Sequence, residues 1–101
     1  PEHMAIIFGG SGQGEAISAN RFAGVRAVVY YGEPVETQTD SAGEELGIVA
    51  SSRRHNNANV LSIGARFVDE EEAKKAVQIF LDTAFVGEER HTRRIEKVDN
   101  F

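Results

Sequence analysis

Three groups of side chains in this 101-residue chain have types and spacings that suit chemistry. The first is a glycine loop closed by a carboxylate, Gly9-Gly10-Ser11-Gly12-Gln13-Gly14-Glu15. Glycines let bare backbone N–H groups approach a ligand, and a helix starting in the loop favours negative charge there. Glu15, in that helix's first turn, is favoured as the anion and so reads as a base beside donors able to hold an oxyanion. The second group is His55 with Asn56, and the third is the basic run Arg90-His91-Thr92-Arg93-Arg94. On a helix Arg90 and Arg94 share a face. Eight of the eleven basic residues are arginine, whose planar fork binds phosphate or carboxylate through paired hydrogen bonds.

Each group also has a plainer reading. The loop fits a tight strand-to-helix turn without chemistry, His55 fits a cap on a helix end, and the arginines fit a solvated helix face. Familiar loop motifs do not apply. A dinucleotide fingerprint needs glycine where Glu15 stands, and a phosphate-binding Gly-Lys-Ser/Thr is absent. A hydrolase elbow needs glycine where Gln13 stands.

These residues need a scaffold, and the hydrophobic pattern supplies one. Residues 4–8 form a short apolar run that predicts a buried parallel strand. A helix follows from Glu15 to Phe22, closed by Gly24, and a second strand spans 25–30. Residues 31–43 read as a loop, and Leu46, Val49 and Ala50 predict a helix from 44 to 54. The asparagines Asn56, Asn57 and Asn59 end it before a third strand at 60–63. Asp69 with Glu72 predicts a capping box, and Ala73, Ala76, Val77, Phe80 and Leu81 make the buried stripe of the helix it starts. A last helix spans 88–98. Strand-helix alternation predicts an α/β fold: an open parallel sheet, Rossmann-like, with helices on both faces. Ligands of such sheets bind beyond the carboxyl ends of the strands, where loops 9–15 and 64–68 fall. Three strands are few for this architecture. The chain reads as a single α/β domain over 1–101, incomplete at its N-terminus, the later part of a doubly wound domain or half of an intimate dimer.

Composition narrows the function. With 41% hydrophobic residues the chain can build a core, and no apolar run approaches the ~20 residues of a membrane span. The absence of cysteine removes disulfides, thiolate metal sites and cysteine nucleophiles. Pro1-Glu2-His3-Met4 lacks the basic start and apolar stretch of a secretory signal, so a cytoplasmic location is expected. A net charge of −5 argues against non-specific nucleic-acid binding. The expected partner is a small molecule, with neither nucleic acid nor membrane.

The blocks Gly9-Gly10-Ser11-Gly12-Gln13-Gly14-Glu15, Ser18-Ala19-Asn20-Arg21 and Gly24-Val25-Arg26-Ala27 resemble the ribose-5-phosphate isomerase B family, which includes galactose-6-phosphate isomerase subunits. So do Arg54-His55-Asn56-Asn57-Ala58-Asn59-Val60-Leu61, Gly64-Ala65-Arg66 and Arg90-His91-Thr92-Arg93-Arg94-Ile95, in the family's order. The resemblance implies aldose-ketose isomerisation of a sugar phosphate through an enediolate, without metal or other cofactor. Many members carry a cysteine base where this chain has Gly9; the subgroup resembled here uses the glutamate that closes the loop. It implies Glu15 as the proton-transferring base, with Ser11 and the N–H groups of Gly10, Ser11, Gly12, Gln13 and Gly14 holding the enediolate oxygen. His55 would assist ring opening, Asn56 would bind sugar hydroxyls, and Arg66, Arg90, His91 and Arg94 would bind phosphate. It further implies a homodimer with a site shared between subunits, and two strand-helix units upstream of the loop that this sequence does not contain. A non-catalytic sugar-phosphate binder or a dimerising fragment of such an isomerase is the alternative.

Overall fold

The computed structural model describes residues 3–33, 38–39 and 45–101. In chain order the elements are β1 (Ala5–Gly9), α1 (Gln13–Ala19), β2 (Ala27–Tyr30), β3 (Gln38–Thr39), β4 (Glu45–Leu46), α2 (Ile48–Asn56), β5 (Val60–Gly64), α3 (Glu70–Asp82) and α4 (Glu89–Asp99). Three strands form a parallel sheet in the order β1-β5-β2, with Ala5 and Ala27 both beside Val60 and Gly9 beside Gly64. The α/β architecture read from the pattern is the one observed.

β5 lies in the middle, and all five of its residues are buried, as an apolar strand covered on both faces requires. Alternation along it assigns the faces. Leu61 and Ile63 point to one side, into a core with Tyr30, Val49, Ala58, Ala76 and Phe80 that α2 and α3 cover. Val60 and Ser62 point to the other side, where α1 packs and Ala16 is buried. β1 and β2 are the edges of this sheet, so β1, expected to be a buried strand, has no fully buried residue: among the described residues it pairs on one side only. At the β1 edge Phe8 is 60% exposed, flanking a groove with Val68, Ala73 and Val77 of the α3 side.

The capping box of α3 is present in both directions: the Glu72 amide donates to Asp69 Oδ1 at 2.8 Å and the Asp69 amide to Glu72 Oε1 at 3.3 Å. Its stripe is narrower than expected, because Ala76 and Phe80 are buried while Leu81 is exposed.

Other boundaries move for local reasons. α1 begins at Gln13 and ends at Ala19, three residues before the expected Phe22. There the Arg21 and Phe22 amides turn back to the Ser18 and Ala19 carbonyls, so Gly24, at φ +80°, serves a later turn and not the helix cap. The second strand starts at Ala27, where Asn20 grips the backbone on both sides: its Oδ1 accepts from the Ala27 amide at 2.7 Å and its Nδ2 donates to the Ala27 carbonyl at 3.0 Å. Leu46, expected in a helix, lies instead in β4, paired antiparallel with Gln38. α2 starts after Gly47 and runs to Asn56. The remainder of the expected 31–43 loop, at 34–37 and 40–43, lies outside the described residues, as does position 44 of the expected helix. No helix among the described residues is long and apolar enough to cross a membrane.

Candidate functional site

At the carboxyl end of the sheet, β1 and β5 finish side by side, and the loops that follow are clamped together. The Ala65 amide donates to the Gly9 carbonyl at 2.8 Å and the Arg66 amide to the Gly10 carbonyl at 3.0 Å. Gly12 has φ +76°, and a Cβ there would press within 3.0 Å of the Gly64 nitrogen, so only glycine fits. The buried Ser62 hydroxyl donates to the Gly12 carbonyl at 2.6 Å, tying the loop to the central strand.

Ser11 Oγ accepts from the Gln13 amide at 3.2 Å, and the first bond of α1 runs from the Ala16 amide to the Gly12 carbonyl at 3.1 Å. The amides of Gly12, Gly14 and Glu15 therefore have no intrahelical acceptor. Two charged groups lie over this floor. The Glu15 carboxylate occupies the space that a Cβ on Gly9 would fill, and the Arg66 guanidinium lies over Gly10, its Cζ 3.1 Å from the corresponding Cβ position. Among the described residues neither charge has an ion-pair partner. Glu15 is an exposed residue of this pole, though its carboxylate is folded back on the loop.

Beside them stand Tyr31 and Phe67, edge to face at 6.0 Å, both more than half exposed. The sequence reading passed over this pair, and over Ser62. Each carried a signal: Tyr31 directly follows β2 and Phe67 lies three residues past β5, both at the ligand-facing end, and Ser62 is the one polar residue in an apolar run.

The other predicted residues gather at the opposite end. α2 finishes at Asn56, Asn57 turns in the left-handed region at φ 48°, and β5 begins at Val60. The Val86 amide donates to the Arg54 carbonyl at 3.1 Å, which brings the approach to α4 against α2. The His55 and His91 rings stack there with centroids 4.8 Å apart. Arg94 Nη2 donates to the His55 carbonyl at 3.3 Å and lies 2.6 Å from His91 Nδ1. Arg90 Nε donates to Glu88 Oε2 at 3.0 Å, and Asn56 is exposed. Loss of water contact, reinforced by Arg90, Arg94 and His55, holds the His91 imidazole below the ordinary histidine range; Glu88 opposes this in part.

Two other arginines are consumed by structure. Arg26 binds the Asp99 carboxylate at 3.0 Å and the Asn57 carbonyl at 2.9 Å, closing α4 against the sheet. Arg53 is buried, donates to the Thr83 carbonyl at 3.0 Å and lies 5.6 Å over the Phe80 ring. Asn59 is structural too, with Oδ1 on the Arg26 amide and Nδ2 on the Gly24 carbonyl, each at 2.8 Å.

One chain thus brings together Gly10, Ser11, Gly12, Gln13, Gly14, Glu15 and Arg66 at the carboxyl pole, and His55, Asn56, Arg90, His91 and Arg94 at the amino pole. The length of β5 alone separates the poles by about 13 Å, four steps of ~3.3 Å. Within a single chain the two sets do not meet.

The family model described as Ribose/Galactose Isomerase matches residues 2–98. Ribose-5-phosphate isomerase B of Escherichia coli is 40% identical over 93 residues, covering 92% of this chain and 53% of that protein. The enzyme of the same name from Mycobacterium leprae is 35% identical over 101 residues, covering all of this chain and 54% of that one. The solved type B ribose 5-phosphate isomerase of Trypanosoma cruzi superimposes with a TM-score of 0.78 at 37% identity, over 97% of this chain and 57% of that one. The corresponding Thermotoga maritima structure gives 0.77 at 35% identity, over 97% and 58%. The chain spans about half the length of the curated relatives it matches. A parallel sheet with a clamped Gly-Gly-Ser-Gly-x-Gly-Glu loop, matched along nearly its whole length, places this chain in the ribose/galactose isomerase family.

Proposed function

We propose that the protein interconverts an aldose phosphate and a ketose phosphate, of the ribose 5-phosphate to ribulose 5-phosphate type, through an enediolate. Glu15 takes the proton from C2 of the open-chain aldose and returns it to C1, while the proton of the C2 hydroxyl passes to the C1 oxygen. Ser11 and the open amides of the loop hold the enediolate oxygen, and one such donor is worth ~3 kcal/mol of barrier. His55 assists ring opening, Asn56 takes sugar hydroxyls, and Arg66, Arg90 and Arg94, with His91 beside them, take the phosphate dianion.

The observation that supports this reading is that two opposite charges without ion-pair partners among the described residues, Glu15 and Arg66, lie over adjacent glycines of one clamped loop. A base needs positioning before it needs a tuned pKa, and folding its carboxylate onto Gly9 supplies that. The separation of the two sets is accounted for by a homodimer in which the amino pole of one protomer meets the carboxyl pole of its partner. The test is conversion of ribose 5-phosphate by the native protein, with Glu15→Gln as control. Turnover unaffected by that change removes Glu15 from its role, and ligand binding without turnover leaves a sugar-phosphate binder.

A further inference from the structure

His91 Nε2 is a buried nitrogen without a hydrogen-bond partner among the described residues. Its other ring nitrogen is committed, with Arg94 Nη2 at 2.6 Å from Nδ1. A guanidinium carries only donors, so Nδ1 must accept and the ring proton must sit on Nε2. That Nε2–H looks towards Glu88 Oε2 at 3.7 Å, beyond hydrogen-bond range. His91 is only 6% exposed, yet its ring touches both neighbours assigned to the substrate: it stacks on His55 at an interplanar angle of 18° and fixes the guanidinium of Arg94, itself exposed.

We infer that His91 is a positioning residue and not a phosphate ligand: its ring is the platform for His55, and its unprotonated Nδ1 is the acceptor that aims Arg94. This rests on the isomerase reading above. A proton on Nδ1 would set donor against donor and release Arg94. The groups facing the ring are Arg90 and Arg94 of α4, His55 of α2 and Glu88 just before α4. Among the described residues only Glu88 favours that added proton, so acidification weakens phosphate capture only once the ring takes up a proton, below the ordinary histidine range.

Two readouts test this on the native protein. Nitrogen-15 NMR of the imidazoles at pH ~7 is expected to show His91 neutral, with its proton on Nε2. An Nδ1–H tautomer, or a cationic ring at that pH, overturns the proposal whether or not the protein turns over. The second compares His91→Phe, which keeps the ring but loses the acceptor, with His91→Asn, whose amide oxygen replaces Nδ1 but which loses the ring. His91→Phe is expected to raise KM for ribose 5-phosphate about tenfold with kcat little changed, the equivalent of one lost hydrogen bond to a charged group. His91→Asn is expected to keep KM and lower kcat through His55. Equal rises of KM in both variants would mark a direct ligand and overturn the proposal. Absence of turnover in the unaltered protein would instead count against the isomerase reading, leaving the tautomer to decide the role of His91.

Discussion

The Glu15 carboxylate occupies the volume that a side chain at Gly9 would need. The two residues are six apart in sequence and belong to β1 and α1, and the turn between them folds the acid back over the strand end. Glycine at position 9 serves a need for space and not of backbone conformation: it leaves room for that carboxylate, and its φ is not in the left-handed region.

It follows that Gly9→Ala leaves the fold intact and displaces the base. The overlapping atoms are the far end of a flexible side chain, which can swing away. Activity is expected to fall by ~10²-fold, the lower range for a mispositioned general base. Thermal stability should stay within about 0.5 kcal/mol. In the double variant with Glu15→Gln, the alanine should add no further loss; an additive loss in steady-state assays would show that Gly9 acts on something other than Glu15.

If the site is shared, two inactive variants should complement each other. Glu15→Gln and Arg94→Ala damage opposite poles, so a mixed dimer contains one site with both residues intact and one with neither. Mixing the two after dissociation and reassociation is expected to restore activity that neither shows alone. No recovery in a demonstrated mixed dimer would place both residues in one protomer's site.

Ser62 holds the loop from beneath. Ser62→Ala removes one of the two donors to the Gly12 carbonyl, the Ala16 amide remaining, at a cost of ~1 kcal/mol. Urea unfolding should report that loss, and Gln13–Glu15 amides should exchange faster with solvent because the loop is freed. Unchanged exchange would mean that the clamp from Ala65 and Arg66 suffices.

Histidine titration sets a pH dependence of stability. The His91 imidazole lies below its ordinary value of 6.5 in the folded chain, so the unfolded chain binds a proton first as pH falls. Stability from this group is fully present above pH ~6.5 and is lost as pH falls from there towards the folded value. Unfolding midpoints measured across this window should decline, and in His91→Phe this part of the decline should vanish. An equal decline in the variant would assign it to other groups.

Much of the scaffold was legible along the chain because its signals are local. A capping box needs only Asp69 and Glu72, a strand only its apolar run, and the loop only its glycines and Glu15, whereas burial was not local: β5 is buried but β1, with a similar run, is an edge. Family membership was legible because motif blocks keep their order. The ends of α1 and α2 were not, since Asn20 reaches across to Ala27 and Leu46 pairs with Gln38, and such partners are invisible to periodicity.

The sequence alone determined the order of the three parallel strands and four helices, the loop and the identities of the candidate residues, but not the short β3-β4 pair. Tertiary structure decided which of those residues can act together. Arg26 and Arg53 read like Arg66 and Arg94, yet folding commits the first to Asp99 and the second to the Thr83 carbonyl, partners many residues away. It also sorted the site into two poles. A residue that follows a parallel strand lies at the carboxyl end and one that precedes it lies at the amino end, so Glu15 and His55 are held apart by the length of β5. Spacing along a chain carries no record of that distance, because it arises only when the strands align and the helices run back between them.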